Sequence, residues 1–191
     1  MKITLIRHAE VEKAYHQKYN GHIDIHLSRK GKDDAKKIAK CFANEQFDLV
    51  FCSDLKRAKE TLEPFVQAKD AVYTEALREK SWGRHEGMSF DAIIAEGAFT
   101  YENFTQWISA LDGESYEAYM QRVENFFLQE LPSHKAENVL VMTHAGVIRV
   151  LMAIVEKLSL ENAFCREVPY GGAVIYDTNL KTFSTIKYNF G

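Results

Sequence analysis

Two histidines and two arginines lie at the ends of short apolar runs that are typical of strands. Arg7 and His8 follow the first such run, and His144 follows another. Arg57 lies in the first turn of a helix predicted after a third run. Because ligands bind outside the carboxyl ends of strands in open α/β sheets, we expect these four side chains at one edge. A guanidinium group binds phosphoryl oxygens in a bidentate manner and an imidazole can act as a nucleophile, so the sequence predicts a site for phosphoryl chemistry.

Each of these residues alone has a structural interpretation. A single histidine at a strand end is usually a surface group, and an arginine in the first turn of a helix opposes the helix dipole without implying a function. A cluster of cations, by contrast, does nothing to stabilise a fold. The four residues together therefore indicate a functional site.

The elements that must position these residues alternate along the chain. Between the first four apolar runs, apolar residues recur at spacings of three and four, as in amphipathic helices. This alternation predicts right-handed crossovers and a mainly parallel sheet covered on both faces. The last two runs are joined by Asn179–Lys181 and predict an antiparallel hairpin. The predicted strands are Ile3–Arg7, Leu49–Cys52, Ala71–Thr74, Val139–Thr143, Ala173–Asp177 and Phe183–Tyr188.

The predicted helices have recognisable starts and stops. Ser28 can cap the first, and a longer one begins at about Glu114 and is stopped by Pro132. A last long helix follows Gly146. The predicted fold is therefore α/β: a three-layer α/β/α sandwich whose mainly parallel sheet has an antiparallel edge strand.

One domain is expected over residues 1–191, because no low-complexity linker or internal repeat divides the chain. Residues 81–113 are the least regular part, with short helices predicted at 89–97 and 101–111. We interpret 81–113 as an insertion or a lid over one end of the sheet, and thus over the active site.

The composition excludes several function classes. Hydrophobic residues make up 46% and charged residues 27% of the chain, which is typical of a globular protein. The formal net charge of -3 provides no general positive field to hold nucleic acid or an anionic membrane, so neither is expected as a partner. No apolar stretch approaches the ~20 residues of a membrane span, and the first residues do not resemble a secretory signal.

The cysteines argue against a disulfide framework and a structural zinc site. Cys41, Cys52 and Cys165 are odd in number and show no Cys-x-x-Cys spacing. We therefore expect a reduced, cytoplasmic domain.

Five ordered segments of the chain resemble motifs of one family, the histidine phosphatase (phosphoglycerate mutase-like) superfamily. They lie between residues 3 and 151, which is most of the chain, and five motifs in order are far more specific than a chance Arg-His pair. The segments are TLIRHAE, NGHIDIHLSRKGKDDAKKIA, FDLVFCSDLKRAKET, LREKSWGRHEG and VMTHAGVIRVL. The resemblance implies the phosphoglycerate mutase-like version of the predicted fold.

The resemblance also implies roles for the clustered residues. His8 matches the nucleophile that becomes phosphohistidine, Arg7 and Arg57 match the phosphate-binding arginines, and His144 matches the second histidine, which hydrogen-bonds the phosphoryl oxygens. Glu79 matches the proton donor to the leaving oxygen. Glu86, an acid before a glycine, is the alternative donor, although such a residue is more often a loop hydrogen-bonding group.

Further residues are expected to bind the substrate. Asn20 and Gly21 are predicted to supply amide contacts, and Ala145 lies where a helix begins close to the phosphate with its free N–H groups exposed. Two positions depart from the family pattern: Ala9 replaces a glycine, and His85 stands where many small phosphatases carry tryptophan.

The segment His22-x-Asp24-x-His26 has two interpretations. In an extended segment the three side chains would share one face and could bind a metal ion. Three ligands at alternate positions are splayed, however, and no fourth ligand is evident, so we favour a loop over the phosphate pocket and expect no metal. The resemblance likewise implies no cofactor, because the arginines neutralise the phosphate.

The expected function is a metal-independent phosphatase that hydrolyses a small-molecule phosphomonoester through a phosphohistidine. LREKSWGRHEGMSFDAI and DGESYEAYMQRV resemble the α-ribazole phosphatase branch, which makes α-ribazole 5′-phosphate a candidate substrate.

The chain is short for a mutase and lacks the Trp-Asn pair that follows the nucleophile in mutases. Phosphoglycerate mutase-type transfer and a phosphohistidine-protein phosphatase are the alternatives, and a binding pseudoenzyme is a third. An exposed edge strand near the carboxyl terminus could pair in a homodimer.

Overall fold

The structure, a computed structural model, describes residues 1–97 and 100–188, and these residues form one six-stranded sheet. The strands lie in the order β3-β2-β4-β1-β5-β6. The pairs β1–β4, β2–β4 and β2–β3 are parallel, whereas β5 runs antiparallel to both β1 and β6. The mainly parallel sheet and the terminal hairpin predicted from the sequence are thus confirmed. The strands are β1 (Lys2–Arg7), β2 (Leu49–Ser53), β3 (Ala71–Thr74), β4 (Asn138–Thr143), β5 (Ala173–Asp177) and β6 (Thr182–Ile186).

The helices follow the predicted pattern, with one further short helix at Leu160–Phe164. The long helix predicted from Glu114 to Pro132 begins at Tyr116, contains a π-helical segment at Asn125–Glu130 and ends at Ser133. Ser28 caps the first helix by accepting the N–H of Gly31 at 2.9 Å. The helices are α1 (Arg29–Cys41), α2 (Lys56–Leu62), α3 (Phe90–Ile94), α4 (Phe104–Ala110), α5 (Tyr116–Glu124), α6 (Leu131–Ser133), α7 (Ala145–Glu156) and α8 (Leu160–Phe164). None of the helices in the described ranges has the length and apolar character of a membrane span.

Alternate strand residues face opposite sides of the sheet and build two apolar cores. Leu5 and Val141 pack on one side with residues of α5 and α7. Ile6 and Met142 pack on the other side with residues of α1 and α2. The sheet is therefore covered on both faces, as the three-layer sandwich requires.

The pairing register brings the functional strand ends together. Arg7 of β1 pairs with Thr143 of β4, so the next residues, His8 and His144, leave the sheet side by side. The N–H of His8 donates to the carbonyl oxygen of Thr143 at 2.9 Å, and the two imidazole centroids are 5.1 Å apart. Ser53, at the end of neighbouring β2, completes this corner.

The segment 81–113 carries α3 and α4, and its buried apolar residues join the core that α5 and α7 form with the sheet. Ile93 and Ile108 are buried, and the indole N–H of Trp107 donates to the Tyr19 hydroxyl at 2.7 Å. Residues 98–99 of this segment lie outside the described residues. That the segment acts as a lid stays a prediction.

Candidate active site

His8 is buried and held in one tautomer. Its Nδ1 lies 2.8 Å from the carbonyl oxygen of Ala9, and because a carbonyl can only accept, Nδ1 carries the proton. The lone pair of the neutral ring is therefore at Nε2. Burial, and then the charges of Arg57 and Arg7, lower the pKa of His8 well below the ordinary 6.5. The imidazole is neutral at neutral pH, which is the form that a nucleophile needs.

His144 is fully buried beside His8. Its Nε2 lies 2.8 Å from the hydroxyl of Ser53. When this hydroxyl donates, Nδ1 carries the ring proton and has no acceptor within the described residues. Burial, followed by the charges of Arg57 and His8, lowers the pKa of His144 well below its ordinary value, so this ring is also neutral.

Arg57, in the first turn of α2, is 1% exposed. Its Nη1 donates to the carbonyl oxygen of Ile23 at 2.9 Å, and its Nη2 donates to those of Asn20 and Gly21 at 3.1 and 2.6 Å. Burial lowers the pKa of Arg57 to about 10, which leaves the guanidinium charged at neutral pH. Its buried Nε–H has no acceptor in the described part of the chain.

Arg7 is fixed on the opposite side of His8. Its Nη1 donates to the carbonyl oxygen of Val168 at 2.6 Å, and its guanidinium carbon lies 3.9 Å from the ring centroid of Tyr170. Burial lowers the pKa of Arg7, and the neighbouring Tyr170 and Glu79 oppose that shift. Its Nε–H, like that of Arg57, is buried without an acceptor among the described residues.

Glu79 lies in the loop after β3, and its carboxyl group approaches the same site as His8 and the two arginines. Oε1 accepts the hydroxyl proton of Tyr119 at 2.6 Å, and Oε2 accepts the N–H of Gly146 at 2.9 Å. A β-carbon at Gly146 would lie 2.1 Å from Oε1, so only glycine permits this approach at the start of α7. The carboxyl group is thereby fixed beside the cavity that the other residues line.

A cavity of about 270 Å³ opens over these groups. Most of the residues predicted for the site line it: Arg7, His8, Asn20, Arg57, Glu79 and Ala145. His144 and Gly21 do not line the cavity, and the ring of His144 packs against that of His8, which does. The structure thus brings two cations, two neutral imidazoles and one carboxyl group around a space that suits a phosphoryl group.

Comparison with known proteins decides the family. The sequence profile of the histidine phosphatase superfamily (branch 1) matches residues 3–190. The chain belongs to the histidine phosphatase superfamily. The resemblance drawn from the five motifs is therefore confirmed.

Individual relatives of this histidine phosphatase are similar over nearly their whole length. Adenosylcobalamin/alpha-ribazole phosphatase of Escherichia coli (strain K12) is 28% identical over 195 residues, which cover 98% of this chain and 94% of the relative. A 2,3-bisphosphoglycerate-dependent phosphoglycerate mutase of Azorhizobium caulinodans is 29% identical over 188 residues, with 91% and 90% covered. The crystal structure of the alpha-ribazole phosphatase from Shigella flexneri has a TM-score of 0.81 at 27% identity and covers 97% of this chain and 95% of its own. The protein is a phosphatase, a phosphoric monoester hydrolase.

In this histidine phosphatase Glu86 organises a loop. Its carboxylate accepts the backbone N–H groups of Gly21, His22 and Trp82 at 2.8, 2.7 and 2.9 Å, and that of Ile23 at 3.2 Å. A carboxylate that accepts several backbone N–H groups acts as an anchor. Glu86, the alternative proton donor of the sequence analysis, is therefore placed as a structural acceptor, which favours Glu79.

The same contacts bear on the expected substrate amides. The N–H of Gly21 donates to Glu86, and its carbonyl oxygen accepts from Arg57, so the predicted amide contact of Gly21 with substrate has no support in this geometry. Asn20 lines the cavity, but its side-chain N–H donates to the carbonyl oxygen of Tyr15 at 2.6 Å. Asn20 is thus placed at the site with one of its two side-chain amide protons already used.

The three residues of the His-x-Asp-x-His segment point to separate partners. Asp24 accepts the N–H of Lys56 at 2.7 Å, and His26 contacts Glu60. His22 is half-buried, and desolvation lowers the pKa of its ring, as do the more distant arginines. Within residues 1–97 and 100–188, no group of three or more His, Cys, Asp or Glu residues is placed to hold a metal ion.

His85 is fully buried and does not line the cavity. Its Nδ1 accepts the N–H of Asp112 at 3.0 Å, and its Nε2 lies 3.5 Å from the carboxylate of Glu96. The residue at the position where small phosphatases carry tryptophan thus ties together the segment 81–113. Of that segment's described residues, Trp82 lines the cavity.

Sequence reasoning missed several residues of the site. Tyr116 and Tyr119 have the spacing of an apolar stripe on the long helix, yet their side chains line the cavity. Arg149, in the second turn of α7, also lines it. Lys80 is 2% exposed, and its Nζ donates to the carbonyl oxygen of Ser81 at 3.2 Å and lies over an indole ring. A helical stripe gives no signal for these roles, because core tyrosines and pocket tyrosines have the same spacing.

Arg122 supports the backbone that carries Glu79. It pairs with Glu114, with nitrogen–oxygen distances of 2.9 and 2.7 Å. Its Nη1 also donates to the carbonyl oxygens of Ala76 and Arg78, at 2.9 Å each. The Gly-Glu-Ser sequence before α5, which resembles the α-ribazole phosphatase branch, therefore has a structural role. Its Glu114 holds Arg122, and Arg122 fixes the loop that carries Glu79.

Proposed function

We propose that this phosphatase hydrolyses a small phosphomonoester through a phosphohistidine on His8. Nε2 of His8 attacks the phosphorus atom, and the bond between phosphorus and the leaving oxygen breaks. Glu79 supplies a proton to that oxygen, so the product leaves as an alcohol. Water then attacks the phosphohistidine, gives up a proton to Glu79 and releases inorganic phosphate, which returns His8 to its neutral form.

The observation that carries this proposal is a set of three buried N–H donors. The Nε–H groups of Arg7 and Arg57 and the Nδ1 of His144 have no protein partner within the described residues. Buried polar groups without partners are rare and costly, so they indicate a ligand. A transferring phosphoryl group has three equatorial oxygens, and donors fixed before the reaction stabilise their charge without reorganisation.

We propose α-ribazole 5′-phosphate as the first substrate to test. The names of the E. coli and Shigella flexneri relatives support it. The cavity supports it independently, because aromatic rings that suit a planar group line it: Tyr19, Trp82, Tyr116, Phe164 and Tyr170.

The test is phosphate release from a panel that contains α-ribazole 5′-phosphate, sugar phosphates, nucleoside monophosphates and 3-phosphoglycerate. We expect α-ribazole 5′-phosphate to have the highest kcat/KM. Incubation with 3-phosphoglycerate and 2,3-bisphosphoglycerate should release phosphate faster than it forms 2-phosphoglycerate. Rapid isomerisation with little phosphate would instead establish the mutase-type activity that the Azorhizobium relative's name suggests. Dephosphorylation of a phosphohistidine protein in preference to every small ester would establish a protein phosphatase.

Metal independence is part of the proposal, because Arg7 and Arg57 supply the positive charge. Hydrolysis should therefore survive excess EDTA. Loss of activity that returns with a divalent ion would contradict this and would direct attention to His22 and His26.

The reduced, cytoplasmic location and a homodimer through edge strand β6 stay predictions, and equilibrium sedimentation tests the homodimer.

A further inference from the structure

The hydroxyl group of Tyr116 is a buried polar group with no assigned task. The residue is 7% exposed and lines the cavity. No group within residues 1–97 and 100–188 forms a hydrogen bond with its oxygen. Tyrosine hydroxyls that are buried usually find a partner, so an unpaired one at the wall of a binding cavity indicates a contact with the ligand.

The ring of Tyr116 is fixed, so its hydroxyl has a defined position. The ring lies edge-on to Tyr119, with centroids 5.9 Å apart, and edge-on to Phe164 at 6.2 Å. Tyr119 in turn donates to Glu79. Tyr119 therefore lies between Tyr116 and Glu79, the proposed proton donor to the leaving oxygen. On that basis we assign the hydroxyl of Tyr116 to the leaving-group side of the cavity.

Arg149 lies on the same side of the cavity. Its Nε donates to the carbonyl oxygen of Arg166 at 3.0 Å, and its guanidinium carbon lies 5.5 Å from the ring centroid of Phe164. Among the described residues, no carboxylate forms an ion pair with Arg149. Its Nη groups are therefore further donors on this wall, in addition to the arginines that face the phosphate.

We propose that Tyr116 and Arg149 form a subsite that binds a neutral hydroxyl group of the leaving group, as on the ring of a pentose phosphate. This inference rests on the proposed phosphatase reaction and adds to it a specificity determinant. The aromatic rings hold the planar part of the leaving group, and the two donors recognise an oxygen on the sugar.

A neutral hydroxyl fits better than a second anion. Burial, and after it the nearby carboxyl group of Glu79, raises the pKa of Tyr116, so it stays a neutral donor. A carboxylate or second phosphate bound here would lie near both Glu79 and the scissile phosphate. Repulsion from the charged scissile phosphate opposes such a group, whereas a hydroxyl carries no such cost.

The test compares adenosine 5′-monophosphate with 2′,3′-dideoxyadenosine 5′-monophosphate, which differ only in the sugar hydroxyls. For the wild type, kcat/KM should be roughly three- to tenfold higher for the ribonucleotide, the size expected for one neutral hydrogen bond. In Tyr116→Phe this ratio should fall to within about twofold of one, with the ribonucleotide losing more than the dideoxynucleotide. Arg149→Gln, at a partly exposed position, should lower the ratio as well and serves as a second variant.

Tyr73→Phe is the matched control. Tyr73 is 47% exposed on edge strand β3 and does not line the cavity, so this variant should keep the wild-type ratio. A ratio near one in the wild type, an unchanged ratio in Tyr116→Phe, or hydrolysis of neither nucleotide would overturn the subsite. So would a strong preference for O-phosphoserine that Tyr116→Phe removes, since the group bound would then be a carboxylate.

Detection of phosphohistidine after a rapid alkaline quench, with p-nitrophenyl phosphate as substrate, separates this inference from the proposed function. A labelled His8 without a hydroxyl preference would overturn the subsite alone. An unlabelled His8 would overturn the proposed reaction, whatever the nucleotide ratio.

Discussion

Two regions of the active site are built in different ways. The floor consists of Arg7, His8, Arg57 and His144, and the wall of Lys80, Trp82, Tyr116 and Arg149. Three of the four floor residues directly end a strand or follow one, and the two imidazoles are set side by side by the β1–β4 register. The wall residues come from a loop and from helix faces, and contacts such as those of Arg122 with the loop backbone position them.

We interpret this difference as a division between the chemical step, which the floor carries out, and substrate specificity, which the wall determines. Sheet hydrogen bonds fix the floor, so its geometry tolerates little change and suits a step that every phosphomonoester shares. The wall depends on side-chain packing between segments, which substitutions can alter without disturbing the sheet. We therefore expect floor variants to lose turnover on all substrates and wall variants to change which substrate is used.

The largest effect is expected for His8→Ala. This change removes the nucleophile, so turnover should disappear almost entirely with every ester. Rapid alkaline quench followed by mass analysis should detect phosphohistidine on the wild type and none on the variant. His134→Ala, at an exposed histidine far from the cavity, should retain both activity and label. A phosphorylated His8→Ala protein would show that another group is the nucleophile.

Glu79→Gln should depend on the leaving group. A sugar or alkyl alkoxide is strongly basic and needs a proton in the transition state, a contribution of ~10²–10⁴-fold, whereas p-nitrophenolate leaves without one. The variant should therefore lose far more activity with α-ribazole 5′-phosphate than with p-nitrophenyl phosphate, as steady-state kinetics on both will show.

Tyr119→Phe provides the milder companion to that experiment. It removes the 2.6 Å hydrogen bond to Glu79 and keeps the ring, so it should show the same dependence on the leaving group with smaller losses. Equal losses on both esters in Glu79→Gln would show that the residue only supports the cavity.

Arg57→Gln should weaken the chemical step and change the titration of His8. Removing a donor that stabilises the transition state costs roughly 3–4 kcal/mol in activation free energy. The charge of Arg57 is the second cause, after burial, that lowers the pKa of His8. In the wild type the imidazole should stay neutral as the pH falls through 6.5, and the variant should become protonated at a higher pH than the wild type.

NMR titration of the ring protons in the unliganded protein measures this shift. His8 and His144 interact, so the two rings are followed together. An unchanged titration in Arg57→Gln would mean that burial alone keeps His8 neutral.

The smallest effect on turnover is expected for His85→Ala in the segment behind the wall. It removes the contacts of a fully buried side chain with Asp112 and Glu96, at a cost of roughly 1–3 kcal/mol of stability. Urea denaturation should show that loss. KM should rise for the preferred substrate, while kcat for p-nitrophenyl phosphate should change only severalfold. A loss of kcat as large as that of Arg57→Gln would contradict the division between floor and wall.

The sequence by itself determined the fold class and most of the floor. Short apolar runs separated by helical patterns mark strands of a covered sheet, and polar residues directly after such runs lie at the carboxyl edge of a parallel sheet. That is why Arg7, His8 and His144 could be assigned to one place, and why the hairpin of β5 and β6 was predictable from the short link between its strands. The family motifs added Glu79, which no local pattern marks.

Only the tertiary structure decided the roles that depend on long-range contacts. Glu86 accepts N–H groups from residues more than sixty positions away, which ties Gly21 into the loop and favours Glu79 as the proposed acid. Tyr116 has the helical spacing of a core residue, and only the placement of α5 beside the cavity turns its hydroxyl toward a ligand. Local spacing reports which face a side chain takes, but what that face meets depends on how distant segments pack.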